Sequence, residues 1–274
     1  ETGYGYFGAR YMDHELTTMW LSIDPMSDKY PSISPYSYCA WNPVKLVDPD
    51  GREISTHTDK SGNVVAVYDD GDNGVYKHDG DISFTQKELD EKYGETNTSG
   101  GGEKMGESLH SLSFADQNAY NEHGRLAPAK NMVIDFGSCE LTNYANNIMG
   151  QKPSVLDYFR NAGSQGAWDI KSKVKHGSLL YGKYASPRDA GNFVAGMVAA
   201  SKGAFLEEML QLGYGAYNMS GNNKFKMALT IFAVAGTCAG NPSEGIRFYE
   251  KVRDGEDKLS QLCIDLGKQY MHNR

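Results

Sequence analysis

The chain has 274 residues, with 39% hydrophobic and 23% charged side chains and a formal net charge of −8. That length exceeds what one small domain needs, and an aromatic content of 11% excludes a wholly disordered chain. The longest apolar stretch, Met227 to Gly240, falls short of the roughly 20 residues of a membrane-crossing helix.

The charge is divided. Residues 1–152 carry 12 Lys+Arg against 24 Asp+Glu, whereas residues 153–274 carry 15 against 11. A change of sign along the chain points to two units with different tasks. The acidic half is a poor nucleic-acid binder, and the weakly basic half can meet an anionic substrate. Cys39, Cys139, Cys238 and Cys263 are far apart without a CxxC pair, which argues against a zinc site or disulfide framework and for buried thiols. His57, His78, His110, His123 and His272 have no ligand spacing, so neither metal nor cofactor is expected. The chain opens on Glu1-Thr2-Gly3-Tyr4-Gly5-Tyr6-Phe7-Gly8, with no start Met or signal-peptide pattern, and reads as a piece of a longer protein.

In chain order, Tyr4, Tyr6 and Tyr11 near Phe7 have the period-two character of strands. Five of the nine prolines lie between Pro25 and Pro49, which excludes a long helix there. Val64, Val65 and Val67, then Val75 and Tyr76, predict two strands. The acidic turn between them lacks the glycine and closing Glu of a calcium loop and reads as a plain hairpin turn. Residues 94–107, with Thr98-Ser99-Gly100-Gly101-Gly102, read as a linker. Helices are predicted over 130–149, over 153–162 with Pro153 in the first turn, and over 189–201 and 204–217. A central buried helix is predicted over 226–237, followed by one over 243–252 capped by Ser243. The final helix presents Leu259, Leu262, Cys263, Leu266 and Tyr270 on one face. The expected class is α+β, with short β-hairpins and irregular segments first and a mainly α-helical C-terminal domain. Its expected divisions are 1–54, 55–105 and 106–274.

The C-terminal half holds the residues suited to chemistry. Asp169 and Lys171 are two apart, so a carboxylate and an ammonium can share one face. The carboxylate can accept a proton while the cation steadies an oxyanion. His176 could add a base that titrates near neutrality. Arg188 and Asp189 bring a second charge pair, and Asn192 a neutral donor and acceptor. Metal-independent ribonucleases use such a set. The structural alternatives are that Trp168 anchors the core, that Asp169 and Lys171 merely lock a turn, and that Gly191-Asn192 shapes a helix start.

Two groups of motifs resemble known families. Gly8-Ala9-Arg10-Tyr11-x-Asp13, Asp24-Pro25, Asn42-Pro43 and Asp48-Pro49-x-Gly51 resemble the RHS repeat-associated core, over about the first 50 residues. That resemblance implies the end of a YD-repeat shell, with a toxin downstream of Asp-Pro-x-Gly. In several members the core is an aspartyl protease that cuts just after that motif. It implies Asp24 and Asp48 as the paired carboxylates, with Arg10 setting their protonation. Read without the resemblance, the two Asp-Pro units are strand-end turns. Gly166-Ala167-Trp168-Asp169-x-Lys171, then Asp189-x-Gly191-Asn192-Phe193 and Gly196, preceded by Asp157-Tyr158-Phe159-Arg160, resemble polymorphic toxin type 44, over roughly residues 130–274.

The combined resemblance implies an antibacterial effector, exported with its parent chain by a contact-dependent system and delivered into a target cell. Its implied partners are a cognate immunity protein, the upstream RHS shell, and RNA or cell wall in the attacked cell. The expected chemistry is RNA cleavage. The alternatives are peptidoglycan degradation, using Glu140 or Asp169 with Asp189 as a carboxylate pair, a membrane-active toxin using the apolar 226–240 segment, and a structural adhesin end.

Overall fold

The computed structural model describes residues 4–6, 11–13, 19–22, 34, 54–79, 86–93, 102–120, 126–163, 165–221, 223–253 and 255–274. The fold is α+β, and the chain forms two compact units, Glu1–Asn131 and Met132–Arg274. Arg10, Asp24 and Asp48 lie outside the described residues.

In the first unit, β1 (Tyr4–Tyr6), β2 (Tyr11–Asp13) and β3 (Met19–Trp20) form a small antiparallel sheet, with Tyr4 opposite Asp13 and Met12 opposite Trp20. A second sheet contains β4 (Ile54–Thr58), β5 (Val64–Asp69), β6 (Gly74–Lys77) and β7 (Glu103–Glu107), in the order β5-β4-β6-β7. The expected hairpin between the valine-rich strands is therefore corrected. β4 lies between β5 and β6, pairing antiparallel with one and parallel with the other. The acidic turn crosses the end of β4 and is pinned there, because Ser55 Oγ donates to Asp70 Oδ2 at 2.5 Å.

The expected linker over 94–107 is also corrected at its end, where residues 103–107 pair with β6 as β7. β8 (Ala115–Tyr120) and β9 (Leu126–Pro128) form a further antiparallel pair. Both strands belong to the first compact unit, which extends to Asn131.

Ile54, Val67 and Leu126 form one apolar cluster, and Ala66, Tyr68 and Leu89 form another that reaches helix α1 (Gln86–Tyr93). Burial extends along all five residues of β4, although four of them are polar. Period-two geometry puts Ser55 and His57 on one face of the strand. There Ser55 Oγ lies 3.0 Å from His57 Nε2, and His57 Nδ1 lies 2.8 Å from His78 Nε2. The Tyr76 ring stacks on His57 at 5.2 Å. Burial, then the neighbouring His78, pushes His57 down to about 3, against the opposing pull of Asp72. His57 is thus neutral at physiological pH.

The second unit begins with α2 (Glu140–Gly150), which starts ten residues later than the spacing predicts. Residues 133–134 instead run beside Gly177 as an isolated bridge. α2 is tied to the hairpin of β10 (Ser178–Leu180) and β11 (Lys183–Ala185) by Thr142, whose Oγ1 donates to the Leu179 carbonyl at 2.8 Å and accepts from Tyr181 N–H. The two-residue turn has φ of 49° at Tyr181 and 93° at Gly182, the positive values that tight hairpins require. α3 (Val155–Asn161) is capped by Ser154, so Pro153 lies outside the helix and not in its first turn.

Short α4 (Ile170–Lys173) leads into the hairpin, and α5 (Pro187–Ala200), α6 (Ala204–Met219), α7 (Lys224–Gly240), α8 (Pro242–Arg253) and α9 (Lys258–His272) follow it. Leu212, Ala216, Val234 and Val252 join α6, α7 and α8 in one apolar cluster. α7 is not the central buried helix expected, since Lys226, Leu229 and Ala233 are exposed. Nor does Ser243 cap α8. It lies inside the helix, and the Glu244 N–H donates to Asn241. Among the described residues no helix is long and apolar enough to cross a membrane.

α5 and α9 approach at backbone contact distance. A Cβ at Gly196 would lie 1.8 Å from the Ile264 carbonyl oxygen, and one at Gly267 would lie 1.9 Å from the Phe193 oxygen. Each glycine admits the backbone of the other helix, and this packing fixes the wall on which the site is built.

Candidate active site

A cleft of about 340 Å³ opens within the second unit between α3, α4, α5, α6 and the start of α9. That volume lies at the lower end of small-ligand sites.

The face offered by α5 follows from its start. Ser186 caps the helix by accepting from Asp189 N–H, and Pro187 occupies the first turn. Arg188, Gly191, Asn192 and Ala195 then recur at i, i+3, i+4 and i+7 and line the cleft together. Asp189, one step round the helix, is only 4% exposed. It accepts a hydrogen bond from the Cys263 thiol, whose pKa rises well above its usual value through burial and then this carboxylate. Asp189 is not among the residues lining the cleft.

Asp169 precedes α4 and does line the cleft, at 6% exposure. Its Oδ2 accepts from Gln165 N–H at 2.8 Å, closing the turn that also holds Trp168 N–H on the Asn161 carbonyl. Lys171 lines the same cleft from the first turn of α4 with an exposed side chain. The local sequence thus brings Asp169, Lys171, Arg188 and Asn192 together.

His176 is not part of this group. After α4, Val174 is buried and Gly177 bridges to Ile134, which turns His176 toward the start of α2. Its Nε2 lies 3.0 Å from Glu140 Oε2. Glu140 is engaged there and is absent from the cleft lining, so the carboxylate pair expected of Glu140 or Asp169 with Asp189 is not assembled in the cleft.

Glu256 and Asp257 also line the cleft, and the sequence reading missed both. Asp257 is the N-cap of α9. It accepts from Ser260 N–H at 3.1 Å and Ser260 Oγ at 2.7 Å, while Arg188 Nη2 donates to its Oδ1 at 2.8 Å. Asn192 Nδ2 donates to Ser260 Oγ at 2.9 Å, which joins α5 to this cap. Burial raises the Asp257 carboxyl, but the Ser260 and Arg188 hydrogen bonds outweigh it and leave the group below its usual range. Glu256 behaves in the opposite way. Burial, then the adjacent Asp257, pushes it up to about 7, while Arg188 and Lys171 restrain it. Two neighbouring carboxyls thus differ in protonation, one fixed as an anion and the other titrating near neutrality. The available signal was Asp257-x-x-Ser260, an acidic cap before the clean apolar face of α9.

The cleft also has an aromatic lining. Tyr158, Trp168, Tyr214 and Tyr217 contribute to it, with the Tyr158 ring 6.1 Å from both Trp168 and Tyr214. Tyr214 OH donates to the Ala195 carbonyl at 3.0 Å. Trp168 is partly buried, with its ring packed beside that of buried Tyr158.

No family model, curated protein or solved structure matches the chain.

Proposed function

We propose that the second unit is a metal-independent ribonuclease, the toxic part of an RHS-type effector delivered into competing bacteria. The observation that carries the chemistry is the gathering of Glu256 with Lys171, Arg188 and Asn192 in one cleft. Ionised Glu256 takes the proton from a ribose 2′-hydroxyl. The 2′-oxygen attacks the adjacent phosphorus, the bond to the 5′-oxygen breaks, and that oxygen takes a proton from water. Lys171 and Arg188 stabilise the extra negative charge on the phosphoryl oxygens. Asp257 orients Arg188, and Asp169 holds the turn beneath Trp168. The second unit carries 16 Lys+Arg against 13 Asp+Glu, an excess in the direction a polyanionic substrate favours.

The wider setting rests on the Gly-Ala-Arg-Tyr, Asp-Pro and Asp-Pro-x-Gly motifs of residues 8–51. It carries with it delivery by a contact-dependent system, a cognate immunity protein, an upstream shell, and self-cleavage through Asp24 and Asp48 with Arg10.

Peptidoglycan degradation is the second reading. What favours it is the neighbouring pair Glu256 and Asp257, an acid that titrates near neutrality beside a fixed anion, in a cleft also lined by aromatic rings. Expression of the chain in the cytoplasm, and with a periplasmic signal peptide, separates the two, each beside Glu256→Gln. Killing from the cytoplasm with loss of cellular RNA, abolished by Glu256→Gln, supports the ribonuclease. Killing only from the periplasm overturns it in favour of the wall enzyme.

A further inference from the structure

We infer that the aromatic wall of the cleft is a nucleobase subsite, so that the substrate is single-stranded RNA with one unpaired base stacked against Trp168. The inference rests on the ribonuclease reading of the same cleft and specifies its substrate class.

The cleft combines two kinds of lining. The cations Lys171 and Arg188 come from α4 and α5 and the carboxyls Glu256 and Asp257 from just before α9, whereas the rings of Tyr158, Trp168, Tyr214 and Tyr217 come from α3, the turn before α4, and α6. Tyr158 and Tyr214 are 5% and 7% exposed. Trp168 is partly exposed, with its ring tilted 32° to that of Tyr158. Its backbone is held by Asn161, and Gly166 packs so closely on the Asn161 carbonyl that a Cβ would lie 1.9 Å from the oxygen. The ring is therefore presented by a fixed turn. A fixed, partly exposed indole lining the same cleft as Lys171 and Arg188 suits a base stacked on the ring with its phosphate at the cations.

The cleft volume suits a group the size of one nucleotide. Bases in a duplex have both faces covered by stacking, so only an unpaired nucleotide can offer one to Trp168. Sequence tolerance is expected, because every base has a stacking face.

The test uses the full chain carrying Glu256→Gln, so that RNA stays intact. Binding is measured for a 12-nucleotide RNA alone and annealed to its complement. Single-stranded RNA should bind at least about tenfold more tightly. Trp168→Ala should remove most of that advantage, a loss of about tenfold or more, and Trp168→Tyr should restore it. Adenosine 5′-monophosphate should quench the part of the tryptophan emission that is lost in Trp168→Phe, a readout that does not rely on the alanine variant folding.

Equal binding of the two RNA forms, or no effect of Trp168→Ala in a folded chain, overturns the subsite. If the unsubstituted chain still cleaves RNA in that case, the ribonuclease reading survives without it. Binding that prefers single strands and depends on Trp168, without cleavage, keeps the subsite and removes the catalytic assignment. Quenching by an N-acetylglucosamine oligomer in place of the nucleotide overturns both.

Discussion

Arg188 Nη2 donates to Asp257 Oδ1 at 2.8 Å and so ties the first turn of α5 to the N-terminal cap of α9. Both side chains are about half exposed, so the pair adds at most about 1 kcal/mol to stability. Its larger effect is on Glu256. Arg188 lowers the pKa of that carboxyl, which burial and Asp257 raise. Removing the guanidinium lets Glu256 rise further and leaves less of it ionised at neutral pH. Arg188→Met should therefore move the acidic limb of the activity profile to higher pH and reduce the plateau, because the phosphoryl oxygens lose a cation. A pH–rate profile of RNA cleavage checks this. An unchanged limb with a lowered plateau would separate Arg188 from the ionisation of Glu256.

Glu256→Gln should abolish cleavage while stabilising the second unit in alkali. The folded carboxyl titrates at about 7, above its ordinary value of 4.5. The native state therefore holds its proton more tightly than the unfolded chain. Stability falls as pH rises from about 4.5 to about 7 and is level beyond. A glutamine removes that slope. Urea unfolding should give similar midpoints for the two proteins at pH 4 and a higher midpoint for the variant at pH 8. A variant less stable at pH 8 would mean that the carboxylate is held by favourable contacts and not penalised by burial.

The contrast between Glu256 and the residues found from sequence shows what was legible. Asp169 with Lys171, and Arg188 with Asn192, are each close enough in sequence for local spacing to pair them, and all four line the cleft. His176 was assigned to the same group because it is only five residues beyond Lys171. Its position depends on the chain turning into β10 beside Ile134, a pairing over more than forty residues that local pattern does not carry. Glu256 and Asp257 were overlooked because α9 was read for its apolar face, while their role depends on the approach of α5. The α+β class followed from periodicity. The order β5-β4-β6-β7 did not, since two valine-rich strands flanking a tight turn resemble a hairpin whether or not a third strand lies between them.

The partly buried Asp70, with buried Ser55, His57 and His78, gives the first unit its own pH response. Burial, more than any other cause, pushes the Asp70 carboxyl up to about 7, with hydrogen bonds from Ser55 and Asp72 opposing it. Its contribution to stability therefore declines as pH rises from 3.8 to about 7. His57, held down to about 3 from 6.5, acts in the other direction, and stability is lost as pH falls through that range. The two slopes oppose each other between 3.8 and 6.5 and should leave a broad plateau. Asp70→Asn keeps an acceptor for Ser55 but removes one slope. The variant should exceed the unsubstituted chain in stability above pH 7 and begin to weaken below pH 6.5. Hydrogen exchange of the β4–β6 amides across pH 4 to 8 measures this. A plateau unaltered by the substitution would show that Asp70 does not titrate in that window.

Gly196 and Gly267 let α5 and α9 meet backbone to backbone, and the cleft depends on that approach. Arg188 and Asn192 belong to α5, whereas Asp257 and Ser260 belong to the start of α9, and their hydrogen bonds of 2.8 and 2.9 Å span the two helices. An alanine at 196 would place its Cβ 1.8 Å from the Ile264 carbonyl oxygen, in a rigid helix backbone that cannot move alone. The helices must separate, at a cost of roughly 1–3 kcal/mol. Gly191→Ala provides the contrast. Its Cβ meets nothing within 4 Å, so the exchange should stabilise α5 by about 0.5–1 kcal/mol through the lower chain entropy of alanine. Thermal unfolding should therefore rank Gly191→Ala above the unsubstituted chain and Gly196→Ala well below it. At a temperature where Gly196→Ala is still folded, its RNA cleavage should fall by more than the unfolded fraction explains, because Arg188 no longer reaches Asp257. Full activity per folded molecule would mean that the close approach of the helices serves stability alone.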